Sequence, residues 1–162
     1  MNIRNEVNEI KDQIISWRRY FHEYPELSFK EFNTAEKINS ELKFMGLKPK
    51  TKVGRTGVTV DLKFGEGPMI GFRADMDALP IQETSGLPFA SKKDGVMHAC
   101  GHDGHIAMLL GTAKIMSQKN NQYQGTIRFI FQPAEEGAGG ARYMIEDGCL
   151  DGCLLYTSDA AD

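Results

Sequence analysis

The sequence is poor in residues that could stabilise a fold covalently, with only three cysteines among 162 residues. An odd number of cysteines at irregular spacings excludes the kind of disulfide framework that holds small secreted domains together. Because free thiols persist in reducing compartments, we expect the protein to be cytoplasmic. The thiols then remain available as metal ligands or nucleophiles.

The sequence also lacks an excess of positive charge, since its formal net charge is -3 at pH 7. Without a basic field to attract phosphate groups, we expect no nucleic-acid partner. No apolar run approaches the roughly 20 residues that a membrane-spanning helix needs. The opening stretch MNIRNEVNEIKDQ carries charges throughout. We therefore expect neither a signal peptide nor a membrane anchor.

Two amphipathic helices are predicted before any strand. The first has apolar residues at three- and four-residue steps and ends before Pro25, and the second ends at Gly46. Their apolar stripes consist of Val7, Ile10, Ile14, Trp17 and Phe21 in the first helix, and of Ala35, Ile38, Leu42 and Met45 in the second.

The rest of the chain alternates between strand and helix patterns. GVTVDLKFGEGPMIGFRAD contains two strand-like runs around a Gly-Glu-Gly-Pro turn signal, which predicts a β-hairpin. HIAMLLGTAKIM has helical spacing, GTIRFIFQPAEEG alternates like a strand before a loop, and GARYMIEDG predicts a short helix. A helix that crosses between two strands favours an α/β fold in which helices cover both faces of a mixed sheet.

Acidic residues follow two of the predicted strands. Asp75 and Asp77 come at the end of one strand, and Glu135 and Glu136 lie in the loop after another. Ligands of open α/β sheets bind at this carboxyl edge, which makes all four residues candidates. For Asp75 and Asp77, a metal ligand, a residue that orients a ligand and a simple strand cap are equally open interpretations. A Glu-Glu pair alone is weak evidence, but the glycines that follow it would let the backbone approach a ligand.

The densest group of metal-binding side chains is MHACGHDGH, residues 97–105. Cys100 and His102 precede an apolar helix, whose N-terminal dipole would favour a thiolate. Thiolate and imidazole bind zinc and similar divalent metals, but the C-G-H spacing lacks the second ligand pair of a closed structural zinc site. An open catalytic site is the better metal interpretation, with Glu135 and Glu136 supplying carboxylates to a metal and to a bound water.

The remaining histidines have simpler interpretations. His105 lies three residues after His102, and we expect it to orient a ligand or to lie in the core, with Asp103 as a further orienting candidate. We expect His22 to be a cation at the negative end of the first helix dipole. A rival interpretation makes Cys100 the nucleophile of a thiol hydrolase, with His102 or His105 as its base.

Four stretches together resemble one enzyme family. RRYFHEYPELSFKEFNTAEKI, RADMDALPIQETSGLPF, GVMHACGHDGHIAMLLGTAK and FIFQPAEEGAGGARYMIEDG occur in this order and span roughly residues 14–152. They resemble the N-terminal part of the metal-dependent amidohydrolases that include hippurate hydrolase, N-acyl-amino-acid aminoacylases and plant auxin-conjugate hydrolases. The resemblance implies part of a two-metal, aminopeptidase-like catalytic domain that cleaves the amide bond of N-acyl amino acids. It also implies a homodimer for the full-length enzyme.

The resemblance further implies roles for single residues. Cys100 corresponds to a thiolate that bridges two metal ions, and His102 and Glu136 correspond to metal ligands. Glu135 corresponds to the general base that takes a proton from the attacking water. Zinc, manganese, cobalt and nickel all suit such a set of ligands.

Two features depart from this family. Its members take two further histidine ligands from later sequence, whereas no histidine follows His105 here, and the smaller dimerisation domain is absent too. We therefore expect residues 1–152 to be the N-terminal part of the catalytic domain, with a non-catalytic metal-binding fragment as the alternative function. We interpret residues 153–162 as an unrelated tail, because one choice of codons for CLLYTS resembles an adapter used in sequencing libraries.

Overall fold

The computed structural model describes residues 3–119 and 123–157, with side chains up to residue 154. The chain begins with the helices α1 (Ile3–Glu9) and α2 (Lys11–Glu23). The prediction of one continuous first helix is wrong because the chain breaks at Ile10, where φ is -111° and ψ is 9°. As a result α1 buries no residue, whereas α2 buries Trp17 and Phe21 in the core.

The second predicted helix is confirmed as α3 (Phe32–Phe44). Its predicted apolar stripe is buried at Ala35, Ile38 and Leu42. The helix ends where predicted, because Gly46 adopts a φ of 80°, a left-handed conformation that glycine accepts without steric cost.

A mixed sheet of five strands forms the centre of the molecule. The strands are β1 (Lys50–Val53), β2 (Gly57–Lys63), β3 (Met69–Asp75), β4 (Thr126–Gln132) and β5 (Cys153–Thr157). Their order across the sheet is β1-β2-β4-β3-β5. β4 pairs antiparallel with β2 and parallel with β3, which confirms the predicted mixed α/β class.

The predicted hairpin between β2 and β3 is wrong, since β4 lies between them. The link between the two strands wraps around the start of β4 instead. The Phe64 N–H donates to the Gly125 carbonyl, and the Thr126 N–H donates to the Pro68 carbonyl, both at 2.9 Å. A short link suffices, because two strand spacings add up to only about 10 Å. The hairpin that does form joins β2 to β1, whose mostly exposed KTKV sequence gave no strand signal.

Helices cover both faces of the sheet, as predicted. The helix α4 (His102–Ser117) packs with α2 and α3 on the face that receives Phe129 and Phe131. The short helix α5 (Gly140–Glu146) contributes to a second core with Ile130. Alternate residues of a strand point to opposite faces, so these two cores lie on opposite sides of β4. Cys149 is buried in the second core, where it packs with Val53, Ile130 and Met144.

The carboxyl ends of β3 and β4 lie side by side, because the strands are parallel and Asp75 pairs in register with Gln132. Both predicted acidic clusters therefore come to the same edge of the sheet. None of the described helices combines the length and apolar character needed to cross a bilayer. Cys153–Thr157 pairs with β3, residues 158–162 lie outside the described residues, and the interpretation of residues 153–162 as an unrelated tail stays a prediction.

Candidate metal centre

Asp77 joins the two loops that leave β3 and β4. Its Oδ1 accepts the backbone N–H of Glu135 at 3.0 Å, and its Oδ2 accepts that of Glu136 at 3.0 Å. The Ser28 hydroxyl donates to the same Oδ2 at 2.7 Å. Burial would raise the pKa of Asp77, but these hydrogen bonds and one from His102 lower it. A buried, ionised Asp77 therefore fixes the backbone of Glu135 and Glu136. Because Asp77 binds only their backbone N–H groups, it does not occupy the two glutamate side chains.

His102 presents only one ring nitrogen to the site. Its Nδ1 lies 2.8 Å from the backbone carbonyl oxygen of Asp77, a contact that assigns the proton to Nδ1. The opposite nitrogen, Nε2, lies 3.7 Å from Glu135 Oε2, 3.9 Å from Glu136 Oε1 and 3.9 Å from Asp75 Oδ2. Burial alone would lower the pKa of His102, but the contacts with Asp77 and the charge of Asp75 raise it to about 9.

Cys100 completes a first group of possible metal ligands. One ligand atom from each of Cys100, His102 and Glu136 lies within 4.8 Å of the others. The Cys100 side chain has no disulfide partner. Partial burial and the charges of Glu136 and Glu135 raise the pKa of its thiol. In the metal-free chain, burial and these carboxylates therefore oppose the thiolate that the helix dipole would favour, and the effect of the dipole stays a prediction. The same effect weighs against Cys100 as the nucleophile of a thiol hydrolase.

A second group shares His102 with the first. One ligand atom from each of Asp75, His102 and His105 lies within 4.8 Å of the others. His105 Nδ1 lies 3.8 Å from Asp75 Oδ2, and the two histidine rings are 5.6 Å apart between centroids. Burial raises the pKa of Asp75, although the neighbouring Arg73 guanidinium opposes the shift. Of the three interpretations left open for Asp75, its geometry suits a metal ligand.

The loop that carries Glu135 and Glu136 is held in place by residues that the sequence did not reveal. Glu31, which is completely buried, accepts the N–H of Ala134 at 2.9 Å and the Thr56 hydroxyl at 2.6 Å. Ala134 has a φ of 53°, so the chain turns sharply just before the pair. A Cβ at position 140 would collide with the Pro133 carbonyl, which explains the glycine there. Neither Glu31 nor Ser28 lies in a spacing pattern that could have marked it.

His22 and Asp103 form a separate cluster, and the structure does not bring their side chains into either group of ligands. His22 Nδ1 lies 2.6 Å from Asp103 Oδ2, and His22 Nε2 lies 3.1 Å from Glu83 Oε1. Arg18 Nε lies 3.1 Å from the same Asp103 oxygen. His22 is in the last turn of α2, as expected, but its partners are two buried carboxylates from distant parts of the chain. Asp103 therefore ties α4 to α2.

His98 is the one histidine to which the sequence argument assigned no role. It is 4% exposed, and burial lowers its pKa to about 4, so it is neutral at physiological pH. Asp103, His102 and His22 are among the charged groups that act on it. The neutral His98 side chain therefore adds no charge to the His22 cluster or to the His102 site.

The donor set at the edge of the sheet fits a divalent cation. Burial and the charges of Asp75 and Glu136 raise the pKa of Glu135, which shows that the carboxylates repel one another. Glu136 Oε1 is buried and has no hydrogen-bond partner among the described residues. Bonds of about 2.0 to 2.3 Å to one ion would bring imidazole, carboxylate and thiolate atoms to within about 3 to 4 Å of one another. The separations of 3.7 to 3.9 Å around His102 Nε2 exceed the spacing of about 3.4 Å for nitrogen and oxygen ligands by no more than about half an ångström, so small side-chain movements would bring these atoms onto an ion.

Comparison with known proteins gives consistent results. Residues 71–160 match the model of peptidase family M20/M25/M40. The chain is 50% identical over 153 residues to N-acyl-L-amino acid amidohydrolase of Geobacillus stearothermophilus, and 47% identical over 152 residues to hippurate hydrolase of Campylobacter jejuni. These alignments cover 93% of this chain in both cases, but 41% and 39% of the relatives. The chain thus spans about two fifths of the length of these curated relatives.

A solved structure supports the same assignment. A Bacillus subtilis protein described as a dinuclear metal-binding peptidase from the M20 family superposes with a TM-score of 0.89 at 47% sequence identity. The match covers 93% of this chain and 43% of that chain. Fold and sequence therefore point to one group of metal-dependent enzymes.

Proposed function

The chain belongs to peptidase family M20/M25/M40, and on that basis we propose that it forms the metal-binding part of an amidohydrolase that cleaves N-acyl amino acids. Relatives at about half identity include an N-acyl-L-amino acid amidohydrolase and a hippurate hydrolase, which favours hippurate-like and N-acetyl amino acids as substrates. The observation that carries the proposal is the convergence of Cys100, His102 and Glu136 beside Glu135.

Cys100, His102 and Glu136 would hold a divalent ion. Such ions lower the pKa of a bound water towards about 7 and polarise the carbonyl of an amide. Zinc, manganese, cobalt and nickel are all compatible with a thiolate, an imidazole and a carboxylate. Asp77 supports this arrangement by holding the His102 ring through its carbonyl oxygen and the Glu136 backbone through its carboxylate.

Glu135 is positioned to act as the general base. Its backbone N–H is bound by Asp77, while its side chain remains one-third exposed and lies 3.7 Å from His102 Nε2. Its raised pKa brings the carboxylate closer to the range in which a base can accept a proton and later return it. Glu135 would take a proton from the attacking water and pass it to the amino group that leaves.

Other parts of the proposal concern the protein as a whole. Residues 1–152 would form the N-terminal part of the catalytic domain, and the longer form would be a homodimer, as the family resemblance implies. All three cysteines are free, which agrees with a reducing compartment such as the cytoplasm.

The test compares this chain with a form extended to the length of its relatives. Both are purified, their bound metal is measured by elemental analysis, and hydrolysis of hippurate and N-acetyl amino acids is assayed with and without a chelator. We expect chelator-sensitive hydrolysis in the extended form. If this chain binds metal without hydrolysing the substrates while the extended form hydrolyses them, hydrolysis also requires the histidine ligands that the family takes from later sequence. Absence of hydrolysis in a metal-loaded extended form would reject the proposal and favour a non-catalytic metal-binding protein.

A further inference from the structure

Two groups of ligands compete for a single atom at the edge of the sheet. One contains Cys100 and Glu136, the other contains Asp75 and His105, and both contain His102. Because His102 Nδ1 is taken up by the Asp77 carbonyl, only Nε2 can bind an ion. One imidazole nitrogen binds one ion, so both complete groups cannot be occupied at the same time.

We propose that Asp75, His102 and His105 form a second divalent-cation site, free of sulfur, which competes with the Cys100 group for His102. This proposal concerns metal binding by this chain and does not depend on hydrolysis. It gives His105 and Asp75 a role as ligands in their own right, beyond the orientation of other groups.

The geometry of the second group meets the demands of an ion. Asp75 Oδ2 lies 3.9 Å from His102 Nε2 and 3.8 Å from His105 Nδ1, so a single oxygen faces both imidazoles. Bonds of about 2.1 Å require neighbouring ligand atoms to lie about 3.0 to 3.4 Å apart. Asp75 Oδ2 therefore needs to approach each of the two imidazole nitrogens by only about 0.4 to 0.9 Å.

The secondary structure and the contact with Arg73 hold Asp75, His102 and His105 in this arrangement. His102 and His105 are one helical turn apart at the start of α4, which places both rings on one face of the helix. Asp75 is the last residue of β3 and is 4% exposed. Its Oδ1 contacts the Arg73 guanidinium, which leaves Oδ2 directed at the histidines.

The two groups differ in the ions they should select. Two imidazoles and a carboxylate suit manganese, iron and cobalt, whereas a thiolate favours soft ions. The structure therefore predicts that Cd²⁺ binds at the Cys100 group and that Mn²⁺ binds at the Asp75 group. Co²⁺ should accept either, and its spectrum reports which one it occupies, because a thiolate ligand adds a charge-transfer absorption.

The experiment uses Cys100→Ser, His105→Gln and Asp75→Asn in the 162-residue chain, with Asp12→Asn as a control for the loss of an exposed carboxylate. Mn²⁺ binding is followed by electron paramagnetic resonance, and Cd²⁺ and Co²⁺ binding by absorption. We expect Cys100→Ser to weaken Cd²⁺ more than tenfold, to change Mn²⁺ affinity less than threefold and to leave Co²⁺ bound without charge transfer. His105→Gln should weaken Mn²⁺ at least tenfold and leave the Cd²⁺ charge-transfer band unchanged.

Two outcomes would overturn the proposal. If Cys100→Ser abolishes Mn²⁺ and Co²⁺ binding together with Cd²⁺, one site accounts for all three ions. If His105→Gln and Asp75→Asn both leave Mn²⁺ affinity unchanged, the second group is not a site. His105→Gln is the decisive variant, because Asp75→Asn also removes a buried partner of Arg73, and circular dichroism with thermal melting checks the fold of each variant.

Discussion

Two clusters of histidine and carboxylate side chains include residues from the first turn of α4, and they differ in the distances between their charged atoms. In the cluster around His22, the ring nitrogens lie 2.6 and 3.1 Å from the oxygens of Asp103 and Glu83. Around His102 Nε2, the nearest carboxylate oxygens lie at 3.7 to 3.9 Å. The distances around His22 are those of hydrogen bonds. The distances around His102 Nε2 are longer and leave room for an ion.

This difference separates the closed cluster around His22 from the proposed metal site around His102. The His22 cluster satisfies its charges internally, and it ties together α2, α4 and the loop that carries Glu83. At the His102 site the carboxylates lie 3.7 to 3.9 Å from Nε2, and burial together with neighbouring carboxylates raises the pKa values of Asp75 and Glu135. Both clusters combine buried histidine with carboxylates, so residue type does not tell them apart, whereas the distances between side-chain atoms do.

The largest expected effect contrasts the same substitution in the two clusters. In the extended form, Glu135→Gln should lower kcat by about 10² to 10⁴, because the general base is lost while the metal ligands remain. Glu83→Gln should leave kcat within threefold, because the hydrogen bonds of the Glu83 carboxylate to described residues go to His22 and to Ser85 and Ser91 of its own loop. Hydrolysis rates and bound metal are measured for both. Equal losses of kcat in the two variants would remove the distinction between the clusters.

A somewhat smaller effect is expected on stability. His22→Leu should lower the free energy of unfolding by about 3 kcal/mol, because Asp103 and Glu83 would lose a buried hydrogen-bonded partner. Above pH 9, where the His102 ring has lost its proton, His102→Gln should cost the metal-free chain less, since the described carboxylates around Nε2 lie 3.7 to 3.9 Å away, beyond hydrogen-bonding distance. Urea denaturation of the two variants measures the difference. A greater loss for His102→Gln would mean that its surroundings also form a closed cluster.

The sequence alone singled out residues of the His102 site, but it did not indicate how the cluster around His22 is assembled. Cys100, His102 and the Glu135–Glu136 pair could be found because they lie in short motifs next to strand ends and a helix start. The roles of Ser28, Glu31 and Glu83 depend on contacts across 49, 103 and 61 positions of the chain. Such contacts depend on tertiary packing, which leaves no periodic signal in the sequence.

Prediction of the fold from the sequence has the same limit, because it succeeds for local elements and fails for long-range strand pairing. Local patterns predicted α3, α4, α5 and the alternation of β4, because each depends on neighbouring residues. They placed β2 beside β3, because a Gly-Pro turn between two strands normally indicates a hairpin. The insertion of β4 between them depends on pairing over more than 60 positions, such as Val58 with Phe131. Helix α2 begins only after a break at Ile10 that the hydrophobic pattern did not mark.

A divalent ion should stabilise the open site and leave the closed cluster as it is. At a free concentration one hundred times its dissociation constant, an ion that binds only the folded chain adds about 2.7 kcal/mol. For a domain of this size that corresponds to a rise in Tm of about 5 to 10 °C. The rise should persist in Glu83→Gln and disappear in His102→Gln. Thermal melts with Zn²⁺ and with a chelator provide the measurement, and a full rise in His102→Gln would place the ion elsewhere.

The smallest effect concerns how the stability of the metal-free chain depends on pH. The His102 site should affect stability at alkaline pH, and the His22 cluster should affect it at acidic pH. The pKa of His102 is raised to about 9, so the folded chain holds a proton that the unfolded chain releases near pH 6.5. The stability that this proton provides is complete below pH 6.5, and it is lost as the pH rises through 9. The expected loss is about 1 kcal/mol for each pH unit between 7 and 9.

Glu83 should produce a loss of stability at the acidic end of the pH range. Its pKa is lowered to about 2, so its contribution is complete above pH 4.5 and is lost as the pH falls through 2. His102→Gln should flatten only the alkaline limb of the stability curve, and Glu83→Gln should flatten only the acidic limb. Denaturation of the three proteins across this pH range separates the two contributions. If either variant flattened both limbs, the clusters would be one coupled system, and the difference in their distances would not mark a difference in function.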